Sequence, residues 1–207
     1  MIAGPRRAAA GIGFAAALAA PQAAAHSPFP GLQGLYTGLL HPLTQPAQIM
    51  VLLTLGLLIG ARPEAVRQAA TVAALGGALA GLIAGAAFGL AGDHGGALAV
   101  LVLAGAAAVL YRPAPDALAV TYGALAGILL GVASVPDPGG WRDVAITSLG
   151  SGLGVSFFVL LAIGAMAAAA ERWAGTVFDT ARLVAAAWLL AISGLYAALL
   201  WRASAPL

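Results

Sequence analysis

The chain contains no cysteine and no lysine, and only 8% of its residues are charged. Without cysteine there is no disulfide, no thiolate metal site and no cysteine nucleophile. Without lysine, all nine basic residues are arginines, and Arg6 and Arg7 account for the formal charge of +2 because the other seven match the seven acids. A balance so close to neutral, with no basic patch, argues against nucleic-acid binding. Walker motifs, nucleotide-binding glycine loops and catalytic triads are also missing, so the reading is not an enzyme and not an ATP-driven machine.

What is present is apolar. Hydrophobic residues make up 62% of the 207 positions and the mean hydropathy is +0.99, well outside the range of soluble domains. The expected fold is all-α, a polytopic membrane helical bundle. The 28 glycines and the alanine runs suit helices that pack backbone to backbone in lipid. Arg6 and Arg7, the apolar stretch 8–20 and the small residues Ala23 and Ala25 follow the order of a secretory signal. Residues 1–25 are therefore expected to be a signal peptide, with His26 as the mature N-terminus and 26–207 as the membrane domain. An uncleaved signal anchor is the alternative.

Each spanning helix needs about 20 apolar residues. Six candidates follow the signal, at 38–60, 66–91, 95–111, 116–135, 144–170 and 181–201. With His26 outside, five arginines (Arg62, Arg67, Arg112, Arg172, Arg182) face the cytoplasm and two (Arg142, Arg202) do not, in agreement with the positive-inside rule. The expected location is a bacterial inner membrane with a periplasmic N-terminus. Gly77, Gly81, Gly85 and Gly89 in the second span, and Gly123, Gly127 and Gly131 in the fourth, recur every four residues. These stripes mark the two helices as an interior pair, and leucine at Gly81 or Gly127 is expected to cost far more than leucine at Ala106. Thr147, Ser148, Ser151 and Ser156 make the fifth span the most polar, and Asp143 is placed to cap it.

All three histidines fall on the outer side: His26, His41 at the entry of the first span, and His94 beside Asp93 in the turn after the second. Imidazole and carboxylate bind divalent transition metals, so His26, His41, Asp93 and His94 are the candidate metal ligands. A histidine beside a proline can equally satisfy backbone groups or sit among headgroups. No carboxylate lies mid-membrane, which argues against a proton-relay pump.

The string GLYTGLLHPLTQPAQIMVLLTLGLLIG resembles the first membrane helix of the HupE/UreJ family, small bacterial membrane proteins linked to hydrogenase and urease and regarded as nickel or cobalt permeases. His41 and Pro42 match the start of that family's H-P-x-x-x-x-D-H motif, while Ala47 and Gln48 occupy its Asp-His positions. A second family motif, F-H-G-x-A-H-G-x-E, corresponds to TYGALAGIL, where Gly123 and Gly127 keep the spacing and Tyr122, Ala126 and Leu129 replace the two histidines and the acid. The resemblance implies a membrane protein that binds and passes nickel or cobalt without ATP, with the ion as substrate and no tightly bound cofactor. The implied partners are the bilayer, the metal ion, other membrane subunits or further copies of the chain. The alternative is a non-transporting subunit that helps to assemble or anchor a metalloenzyme complex.

Overall fold

The computed structural model describes residues 33–111 and 114–204; the signal segment 1–25 and His26 lie outside the described residues. Those described form seven α-helices and no strand: α1 (Gln33–Thr44), α2 (Pro46–Ile59), α3 (Glu64–Ala87), α4 (Gly95–Leu110), α5 (Asp116–Val132), α6 (Trp141–Arg172) and α7 (Thr176–Ser204). Three of them, α3, α6 and α7, are long and apolar enough to cross a bilayer. The α4 and α5 helices have 16 and 17 residues. At 1.5 Å per residue each is about 25 Å long, just short of a hydrocarbon core of about 30 Å.

The first expected span is not one helix. Pro46 disfavours helical geometry at the residue before it, and Gln45 accordingly takes φ −110° and ψ 116°. The helix stops at Thr44, restarts with Pro46 in its first turn, where the missing N–H costs nothing, and turns by 70° at the break. Hydropathy dips across the break, from His41 to Gln48, but the apolar residues on either side outweigh it over a window of span length, which is why the sequence reads as a single span.

Glycine decides which helices meet. A Cβ at Gly127 would run into the Ala74 carbonyl, one at Gly131 into Ala78, and one at Gly81 into Ile128, so α3 and α5 lie backbone against backbone. A second seam, not singled out from the sequence, joins α1 to α6: Gly38 faces the Thr147 carbonyl, while Gly150 and Gly154 face the carbonyls of Leu35 and Leu39. The stripes thus report contact, but not the centre of the bundle. Val72, Leu79 and Ile83 on α3 are 60% or more exposed, whereas α2 is buried on nearly every side and touches all six other helices. A residue facing lipid and one facing protein are equally apolar, so pattern alone does not separate them. Ala106 is a case in point, since it is fully buried.

The two ends of the bundle differ in charge. Arg62 bonds to Asp116 at 3.1 Å, Arg67 pairs with Glu64 and reaches Glu171 at 3.9 Å, and Arg182 lies beside them on α7. Arg142 and Arg202 belong to the opposite end, with α6 starting and α7 finishing there. Exposed aromatic residues mark both ends, Trp141 and Trp201 at one and Trp173 and Tyr111 at the other, as at membrane interfaces.

The C-terminal end of α2 is closed by arginines. Arg62 donates to the Leu58 and Ala114 carbonyls at 3.3 and 2.8 Å, and Arg182 donates to Leu57 at 3.3 Å, so two cations meet the negative end of a short buried helix. Arg62→Ala should cost about 1.5–3 kcal/mol in thermal unfolding, the range for hydrogen bonds from charged groups. Lysine at this position should recover only part of that, since it lacks the planar fork that reaches both carbonyls.

Candidate functional site

The break at Gln45 opens a cavity of about 500 Å³ at the end of the bundle opposite the arginine cluster. Its wall includes Thr37, His41 and Gln45 from the bent segment, Asp93 from the α3–α4 turn, Asp137 from the α5–α6 loop, and Thr147 and Ser151 from α6. Among the described residues, no arginine lines it. Local chemistry explains why polar groups collect here. Where a helix breaks inside an apolar bundle, its terminal carbonyls and amides lose their partners, and side chains must supply them.

The His41 ring lies near the centre of this arrangement. Its Nε2 donates to the Ala133 carbonyl at 3.1 Å, beyond the last turn of α5. In the neutral ring that bond places the proton on Nε2 and the lone pair on Nδ1. The Gln45 amide nitrogen lies 3.5 Å from the same ring. Fully buried Gln48 donates to the Ala133 carbonyl at 3.3 Å and to Gln45 Oε1 at 3.2 Å, and its own Oε1 accepts from the Ser134 hydroxyl at 3.4 Å. Gln45, Gln48 and Ser134 were not among the candidates. Their signal was two glutamines flanking a proline in an otherwise apolar stretch, a polar outlay that simple packing does not require.

The candidate ligands separate on inspection. His41 and Asp93 line the same cavity, joined there by Asp137 from the α5–α6 loop. Asp93 Oδ1 also accepts from the Gly95 amide at 2.7 Å, a turn contact at the start of α4. The His94 ring bonds instead to the Leu90 carbonyl at 2.8 Å and does not line the cavity. Among the described residues, no three His, Cys, Asp or Glu side chains stand close enough to hold one ion between them. Asp143 lies in the first turn of α6, but Gly140 occupies the cap position.

The positions that correspond to the second family motif are packed. Tyr122 is 5% exposed and its ring sits over Gly105, next to Thr54, while Ala126 is fully buried. Thr54 donates its hydroxyl to the Met50 carbonyl at 2.7 Å within its own helix. No family model matches the chain, and neither does any of the curated proteins or solved structures compared with it.

Proposed function

We propose that this is a six-span inner-membrane protein of HupE/UreJ type that takes up a divalent transition metal ion, nickel or cobalt, at its outer face and passes it inward without ATP. In this reading α1 and α2 form one bent span, α4 and α5 cross a locally thinned bilayer, and the arginine-rich end faces the cytoplasm. The mature N-terminus is then periplasmic. One observation carries the metal reading: His41 sits at a helix break on a half-polar cavity, with its Nε2 already committed to a backbone carbonyl. A histidine oriented in this way is arranged as metal-ligating histidines are. Asp93 and Asp137 on the same wall add negative charge. The ion would be held by one imidazole and its own water, weakly enough to leave again, as a transported substrate must be.

One observation favours the non-transporting alternative. Arg62 and Arg182 close the inner end of α2, and fixed guanidinium groups raise an electrostatic barrier to cations. Titration calorimetry with nickel, cobalt, copper and zinc, followed by uptake into proteoliposomes, separates the readings. His41→Ala should weaken binding roughly tenfold or more, while His94→Ala should leave it unchanged. Wild-type protein that binds none of the four metals, or a His41→Ala variant that binds as well as wild type, removes the metal reading. Binding without uptake supports the subunit role.

A further inference from the structure

A second and larger cavity, about 790 Å³, lies in the groove between α3 and α6. Val72, Leu75 and Leu79 form one side and Leu149, Leu153 and Val155 the other, so its wall is almost wholly apolar. It runs along the half of the bundle nearer the polar cavity, and the two share a wall: Ser134 and Ser151 line both. An apolar groove and a polar mouth that meet in this way match the two halves of an amphiphile. The groove is the size of a small-molecule site, and water does not fill a space with so few polar partners. The mouth selects the head, because among the described residues its lining carries Asp93 and Asp137 and no arginine, disfavouring a headgroup of net negative charge and favouring one that carries an ammonium.

We propose that this groove holds one bilayer phospholipid with an ammonium-bearing headgroup, of the phosphatidylethanolamine type, with an acyl chain along α3 and α6 and the head at the Asp93–Asp137 mouth. Single-tail occupancy fits a cavity of about 790 Å³. This site does not depend on metal binding, and its test does not read metal.

The test is made in proteoliposomes of phosphatidylethanolamine and phosphatidylglycerol, with a photoreactive benzophenone residue in place of Leu149 on the groove wall. The expected adduct is lipid, enriched in phosphatidylethanolamine at least threefold over the bilayer composition. Asp93→Asn with Asp137→Asn should return the adduct to bilayer composition without loss of total lipid labelling; asparagine at 93 keeps the oxygen that the Gly95 amide uses. Gly76→Trp should fill the groove and abolish enrichment while leaving the melting temperature in place, because a Cβ at Gly76 meets nothing within 4 Å. Gly96→Trp, equally unobstructed but away from the groove, should change nothing. Adducts of bilayer composition in the wild type overturn the proposal. So do adducts to residues 1–32 or to a second copy of the chain, and so does enrichment that survives Gly76→Trp.

Discussion

Gly81→Leu should lower the melting temperature in detergent by about 10 °C, while Gly76→Leu, five residues earlier on the same helix, should leave it nearly unchanged. At Gly81 the first added carbon would meet the Ile128 carbonyl oxygen, which is backbone and does not swing aside. The two helices would have to separate along α3 and α5, releasing the close contacts at Gly77, Gly127 and Gly131 as well. Overpacking of this kind costs about 3 kcal/mol or more, and in a chain of this size each kcal/mol moves the midpoint by about 2–4 °C. Gly127→Leu should behave like Gly81→Leu, since its new carbon would meet the Ala74 carbonyl. Thermal unfolding followed by circular dichroism measures all three. Equal loss at Gly76 and Gly81 would mean that backbone contact does not set the cost, since leucine is the better helix former at both positions.

Gln48→His should raise nickel affinity by about tenfold or more under the metal reading, and Gln48→Leu should destabilise the fold by about 1–3 kcal/mol. The first expectation follows from convergence: His41 and Gln48 donate to the same Ala133 carbonyl, so an imidazole at 48 would stand within reach of an ion bound at 41. A second ring also restores the residue type that the resembled motif carries at this point. The second expectation follows from burial. Leucine would leave the Ser134 hydroxyl, on a residue only 2% exposed, without the amide oxygen it donates to. Calorimetry on the histidine variant and thermal unfolding of the leucine variant are independent readouts. An unchanged nickel isotherm in Gln48→His would count against His41 as the ligand.

Composition alone determined that this chain is helical and suited to lipid, because 62% hydrophobic residues with 8% charge leave few ways to satisfy a backbone other than within helices. The glycine spacing of 77–85 and 123–131 likewise identified the closest helix pair, since only glycine removes the Cβ that would hold the two backbones apart, whereas Gly89, at φ +64° beyond the end of α3, meets nothing. Pro46 was also visible, and the residue before a proline is predictably non-helical, yet the apolar residues on either side outweighed the polar stretch 41–48 and concealed the 70° turn. Tertiary structure alone decided the rest. That α2 is the centre, that Ala106 is enclosed, and that Leu79 faces outward are facts about neighbours, and in a bilayer both environments favour the same apolar residues. The grouping of Asp137 with His41 and Asp93, and the separation of His94 from them, are of the same kind. Sequence placed all four near one end of the bundle, but which side chains share a cavity depends on how a broken helix, a turn and a loop from three distant parts of the chain are packed together.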